Sequence, residues 1–360
     1  MVQKSLAGPS GARPDPPSSV HRRGEFQTID FIKTRSAGSS RGLVLGIGDD
    51  CAIFKQQPSC ETVITSDLLV EDIDFRLEYT APELLGHKSL AVSLSDIASM
   101  GARPRWAMLS LGIPGELWRS NFLDRFYDGF LELAGHFDIK LIGGDISRTP
   151  NHVVIDSIVL GEITTGHAIR RSGAKPGDVI FVTGSLGGAA AGLKMLEEGH
   201  RLSKKRVRSK VARNREILLK RQLSPEPRVK VGMLLAKERL ATAMIDLSDG
   251  LSSDLAHICE SSGVGAVVNQ SQIPIDRAVL DLSKDSDDQI EMAINGGEDL
   301  ELLFTVRARK ARTLGPTLGG VKITEVGRIT GSSGQIDLHQ DGGIVKSLRP
   351  AGYEHFRERI

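Results

Sequence analysis

Cysteine is scarce in this chain, with three residues (Cys51, Cys60 and Cys259) among 360. The number is odd and no pair has CxxC spacing, so neither a disulfide framework nor a structural zinc site is expected, and a reducing cytoplasm fits. No apolar run reaches the roughly 18 residues that a membrane helix needs, which argues against a membrane partner. Charge of either sign is not in excess, since 46 Lys and Arg face 45 Asp and Glu. No global field therefore draws the protein to nucleic acid or to a lipid surface. The familiar phosphate cradles are also missing. No G-x-x-x-x-G-K-[ST] loop occurs, and Gly46-Ile47-Gly48-Asp49-Asp50-Cys51 lacks the third glycine of a dinucleotide or protein-kinase loop. Residues 1–25 are rich in Pro, Gly, Ser and Arg without the apolar centre of a signal peptide, and are expected to form a disordered tail.

What is present is an ordinary globular composition, 40% hydrophobic and 25% charged, in a chain long enough for two domains. Strand and helix patterns alternate, so the expected class is α/β, or a layered α+β arrangement. The composition turns to loop near Arg170 to Asp178. The boundary is placed there, giving an N-terminal domain over 26–168 and a C-terminal domain over 169–357. The expected strands include 43–47, 62–65, 106–113, 139–142, 152–163, 179–182, 242–245 and 300–306. A helix is expected from Pro82, which suits a first helical position, to about Met100, and a second from Leu117 to Phe137. Ser89, Ser93 and Asp96 stack along one side of the first helix, as a solvated face or as part of a site. Arg201 to Arg221 is densely basic without interleaved aromatics, and reads as a solvated helix or mobile insertion rather than a nucleic-acid surface. The glycine-rich turn Thr183 to Gly188 opens a helix. It either offers N–H groups to an anion or simply packs tightly.

The recurring device is an acidic turn that follows an apolar strand. It appears at Asp49-Asp50, Asp67, Asp145, Asp246 and Glu298-Asp299, and Asp96 and Asp249 add to the set. In layered α/β folds ligands bind near the carboxyl ends of strands. Several converging carboxylates repel one another unless a cation neutralises them. Oxygen ligands without a His or Cys cluster favour Mg²⁺, which completes its shell with water and phosphates. The residues themselves therefore point to a Mg²⁺-dependent enzyme acting on phosphates.

The motifs Gly46 to Ala52, Thr65-Ser66-Asp67, Leu94 to Ala102, Ile142 to Asp145, Arg171 to Asp178, Ile245 to Leu251 and Gly296 to Asp299 together resemble the thiamine-monophosphate kinase family, in that family's order. The resemblance covers about residues 24–357. It implies the two-domain fold of the aminoimidazole-ribonucleotide-synthetase superfamily, a homodimer formed through the N-terminal domains, and ATP-dependent phosphorylation of thiamine monophosphate with several Mg²⁺ ions and no phosphoenzyme. Carried over by position, Asp50, Thr65, Ser66, Asp67, Asp96, Asp145, Asp246 and Asp249 would hold metal. Tyr127, Gly144, Asp145, Arg171 and Ser248 would contact ATP. Asp74, Glu298 and Tyr353 would face the acceptor, and Asp67, Asp145, Arg171 and Asp246 would carry the chemistry. Asp74 stands where the family usually has His. The alternatives are another ATP-using enzyme of the superfamily, or a Mg²⁺-nucleotide-binding protein without catalysis.

Overall fold

The computed structural model describes residues 24–47, 51–203 and 208–353. Asp49, Asp50 and most of the proposed tail lie outside them. In the first half, α1 (Glu25–Arg35) precedes a short ribbon of β1 (Leu43–Leu45) and β2 (Ile53–Phe54). There follow β3 (Cys60–Val70), α2 (Pro82–Ser99), β4 (Arg103–Pro114), α3 (Gly115–Trp118), α4 (Phe122–His136), β5 (Lys140–Thr149) and β6 (Val154–Thr164). These build a four-stranded sheet in the order β3-β6-β4-β5, with only the β4–β5 pair parallel.

The second half runs β7 (Val179–Thr183), α5 (Gly188–Glu197), α6 (Lys210–Leu223), α7 (Val229–Lys237), β8 (Ala241–Leu247), α8 (Leu251–Ser262) and β9 (Gly265–Asn269). It continues with α9 (Arg277–Leu282), α10 (Ser286–Asn295), β10 (Glu301–Val306), α11 (Ala308–Ala311), β11 (Thr317–Leu318), β12 (Val321–Thr330), β13 (Ile336–His339) and β14 (Val345–Ser347). Its sheet has the order β14-β13-β9-β12-β7-β10-β8, with β11 paired to β12. The mixed helices and sheets agree with the expected class.

Several elements differ from the expectation. The strand that ends at Thr65 in the sequence reading continues to Val70, because β3 pairs with β6 along its whole length. Asp67 is therefore inside a strand, as are Asp145 in β5 and Asp246 in β8. The helix expected over 117–137 is split, since the Ser120 hydroxyl accepts the Phe122 N–H at 3.1 Å and offers the backbone a turn instead. The stretch after α8 carries β9, α9 and α10.

Of the two readings of the polar side of α2, the solvated one fails, because Ser89 and Ser93 are each 0% exposed. The helix forms a middle layer between the two sheets. One apolar core joins Leu90, Leu94 and Phe130 of the first half to Phe181 and Phe304 of the second, whose rings stack at 5.5 Å. A second core, including Ile180, Ile245, Leu255 and Val326, fills the far side of the larger sheet. The basic helix α6 is likewise not a solvated insertion at its inner end. Leu218, Leu219 and Leu223 are buried, and Arg221 reaches the fully buried Glu301 at 3.1 Å.

Candidate active site

Helix α2 gathers the acidic residues from both sheets. Strand alternation turns Thr65 and Asp67 of β3 towards α2, where Thr65 donates its hydroxyl proton to Asp96. Asp246 on β8, the edge strand of the larger sheet, faces the same seam and is 3% exposed.

The carboxylates act on one another. Burial pushes the Asp67 carboxyl up to about 6, helped by the charges of Asp96 and Asp156 and opposed by Ser93. Burial raises Asp96 as well, against the Thr65 hydroxyl and the positive charge of Arg171. Asp246 rises to about 7 through burial and the charges of Asp96 and Asp67, with Ser95 opposing. Asp254 of α8 rises to about 8 through burial, Asp246 and Asp249. Like charges kept this close without water store repulsion that a cation or a proton relieves.

Asp249 and Ser248 belong to the turn between β8 and α8. Asp254 accepts the N–H groups of Asp249 and Gly250 at 3.2 and 3.0 Å. The Ser248 carbonyl in turn accepts the Glu298 N–H at 2.8 Å, so this turn is tied to the one that carries Glu298. Tyr353 joins the same corner through its N–H, which donates to the Asp249 carbonyl at 3.2 Å.

Other expected residues sit elsewhere. Asp145 lies in one row with Leu68, Asp156 and Ser110 across the sheet. By strand alternation that row faces away from α2, and three strand spacings separate Asp145 from β3, about 14 Å. Ser66 points to the same outer face and donates to Asp156 at 2.7 Å. Gly144 has φ +153°, and a Cβ there would meet the Leu109 carbonyl at 2.0 Å, so only glycine fits. Tyr127 is 2% exposed and packs edge-on against Phe126, which makes it part of the core of α4. Asp74 accepts the Val70 N–H at 2.8 Å within its own turn. Asp50 lies outside the described residues.

The turn at Thr183 to Gly188 is capped internally. Asp299 accepts the N–H groups of Gly187 and Ala189 at 2.6 and 3.0 Å, so those donors already hold a carboxylate. Glu298 and Asp299 are neighbours with separate tasks, one facing Lys88 and Gln222 and one buried as a cap.

Sequence reasoning passed over Asp254, Asp156 and Lys88. Asp254 had a signal, because a carboxylate in the first turn of a helix complements its dipole. Asp156 and Lys88 had none, since each matters only through a partner distant in the chain.

The cluster fits a hard divalent cation. Asp67 Oδ2 and Asp254 Oδ1 are buried oxygen atoms without a hydrogen-bond partner, and the surrounding donors are carboxylates and hydroxyls. Among the described residues no three His, Cys, Asp or Glu side chains stand close enough to ligate one ion alone. Such a site leaves the remaining positions to water and phosphate oxygens, as Mg²⁺ prefers.

Two mixed sheets with a shared acidic seam define the class. The family model for the AIR synthase related protein N-terminal domain matches residues 48–163, and that for the C-terminal domain matches residues 175–338. Thiamine-monophosphate kinase of Escherichia coli (strain K12) is 39% identical over 92% of this chain and 98% of its own. Two solved structures agree. The thiamine-monophosphate kinase of Stenotrophomonas maltophilia K279a is 37% identical with a TM-score of 0.75, over 88% of this chain and 96% of that one. AaThiL complexed with AMPPCP and TMP is 30% identical with a TM-score of 0.70, over 92% and 97%. The chain therefore belongs to the thiamine-monophosphate kinase family, a family of phosphotransferases.

Proposed function

We propose that this chain transfers the γ-phosphoryl group of ATP to thiamine monophosphate, giving thiamine diphosphate and ADP. The observation that carries this reading is the seam of mutually repelling carboxylates around α2, whose charge a divalent cation would neutralise. A relative of 30% identity solved with the ATP analogue AMPPCP and with TMP supports both substrates.

In this reading Asp67, Asp96, Asp246 and Asp249 hold Mg²⁺ with Thr65, whereas Ser66 and Asp145 face the other side of the first sheet and do not join this set. When bound, Mg²⁺ neutralises phosphate charge and aligns the two substrates. Arg171 is exposed yet close enough to stabilise the Asp96 charge, which suits a cation that meets phosphate oxygens at the mouth of the seam. Ser248 and Gly144 are assigned to ATP, and Glu298, Tyr353 and Asp74 to the acceptor, whereas Tyr127 is buried in the core of α4 and is not available to the nucleotide. An acceptor phosphate oxygen forms the new P–O bond while the bond to the β-phosphate oxygen breaks and ADP departs with its electron pair. The attacking oxygen is already anionic, so no general base is required.

Lys88, the partner of Glu298, and Asp96 are eight residues apart on α2, a span of about 12 Å. That span suits an elongated organic phosphate with its ring system at Glu298 and its phosphate at the acids. A homodimer through the first sheet is supported by Ile64 and Leu68, which are 67% and 60% exposed on the outer face of edge strand β3. Cytoplasmic location completes the reading. Among the described residues no helix is long and apolar enough to cross a membrane.

The test is product analysis after incubation with Mg²⁺-ATP and thiamine monophosphate, beside free thiamine. Thiamine diphosphate and ADP from the monophosphate alone is the expected result. ATP bound without turnover would move the assignment to a nucleotide-binding protein or to another acceptor.

A further inference from the structure

Lys88 is among the most buried charged residues of the molecule, at 3% exposure, although it has no place in the acidic seam. It lies on α2 two turns before Asp96, and its Nζ meets Glu298 Oε1 at 2.6 Å. Gln222 of α6 donates from its Nε2 to the other oxygen of the same carboxylate. Glu298 is thus gripped from the first domain by a cation and from the second by an amide. Its backbone is held as firmly, with φ +65°, and a Cβ on the preceding Gly297 would stand 2.6 Å from the Ser248 carbonyl. Non-glycine residues adopt that conformation only where the surroundings enforce it. The side chain nonetheless remains 34% exposed, so the grip leaves part of the carboxylate open.

We propose that Lys88 is a positioning residue that fixes Glu298 as a charge-compensated hydrogen-bond acceptor and so sets selectivity for the acceptor's ring end. The proposal rests on the reading above, in which Glu298 faces the acceptor. A lone carboxylate attracts any cation. One already paired with a buried ammonium offers little net charge and selects by geometry. Two oxygens carry about four lone-pair sites, and Lys88 and Gln222 occupy two of them. The remaining sites suit an N–H donor fixed on a flat heterocycle, such as a ring amino group. Recognition by a paired acceptor is demanding, because a ligand without the donor leaves a desolvated oxygen unsatisfied. Lys88 also ties acceptor recognition to the helix that carries Asp96, so one rigid element sets the distance between the two ends of the acceptor.

The test uses the full-length protein with Mg²⁺-ATP and thiamine monophosphate, comparing wild type with Lys88→Met, Lys88→Arg and Gln222→Leu. Lys88→Met is expected to raise KM for thiamine monophosphate roughly tenfold or more, with KM for ATP within about twofold of wild type. Lys88→Arg, which keeps the charge, should recover part of the loss, and Gln222→Leu should shift the same KM in the same direction by less. A contact that merely glues the domains would move both KM values together and lower the melting temperature, and that result overturns the proposal. So does a folded Lys88→Met whose KM for thiamine monophosphate is unchanged. If Lys88→Met does not fold, an unchanged KM in Gln222→Leu overturns it, and a raised KM for thiamine monophosphate alone supports it. A wild-type protein that leaves thiamine monophosphate unphosphorylated removes the parent reading and this inference together, whereas an active wild type with indifferent variants removes the inference alone.

Discussion

Asp67 shows how a single residue is set between stability and function. Its pKa stands at about 6 in the fold, above the ordinary 3.8, because burial and the charges of Asp96 and Asp156 disfavour the ionised form. A carboxyl raised in this way costs stability wherever it is ionised. The cost is full above about pH 6 and fades as the pH falls through that value towards 3.8. Asp67→Asn should therefore abolish phosphoryl transfer while the metal-free protein melts higher than wild type at about pH 8, the gain vanishing near pH 4. Circular dichroism melting together with the product assay checks both halves, and a variant as active as wild type at saturating Mg²⁺ would sink the metal assignment. The same repulsion predicts a linkage with metal. Mg²⁺ should raise the wild-type melting temperature more at about pH 8 than at about pH 5, where protons already neutralise part of the cluster. A Mg²⁺ effect of equal size at both pH values would show that the cation does not compete with these protons.

At the scale of elements, α2 is the part on which both domains rest, and glycines let its neighbours approach it. A Cβ at Gly86 would stand 1.9 Å from the Phe126 carbonyl, and one at Gly129 of α4 would stand 1.8 Å from the Glu83 carbonyl. Gly232 of α7 is constrained against the Ala98 carbonyl in the same way, at 2.1 Å. Gly129→Ala is expected to destabilise the protein by ~1–3 kcal/mol or more, because the backbone must move to admit the methyl group. Urea unfolding measures this, and a change below about 0.5 kcal/mol would show that the α2–α4 contact is not the constraint it appears from the backbone spacing. Elements with strong local patterns were readable from the sequence, as Pro82 at the start of α2 and Gly101 beyond its end illustrate. The split between α3 and α4 was not, since one serine hydroxyl decides it. The length of β3 was not either, because β6, its partner, lies about 90 residues away.

Among the described residues the two larger sheets share the layer that α2 and α7 provide, with apolar packing continuous from Leu90 to Phe304. The acidic seam lies where the sheets meet, so its geometry depends on both domains being in place. The outer face of the first sheet is a different matter. Ile64 and Leu68 are exposed there, Leu68 in the row that contains Asp145, and an apolar patch on an edge strand invites a second copy. Ile64→Asp combined with Leu68→Asp should convert a dimer into monomers in light scattering, with the monomer's circular dichroism unchanged. A wild-type protein that is monomeric at micromolar concentration would refute the dimer.

The sequence by itself determined the class, the strongly patterned elements and most of the acids in the seam, because helix periodicity, strand alternation and turn residues act over a few neighbouring positions. Thr65, Asp67, Asp96, Asp246 and Asp249 could be named before any coordinates, and the seam brings them together. Only the tertiary structure decided which of the acidic turns share that seam. Asp299 turned out to cap α5, Asp145 to lie on the opposite sheet face, Tyr127 to fill the core, and Arg221 to anchor α6 on Glu301. These outcomes depend on strand register and on burial against distant parts of the chain. The same holds for Lys88, whose role arises from a carboxylate 210 residues further along the chain.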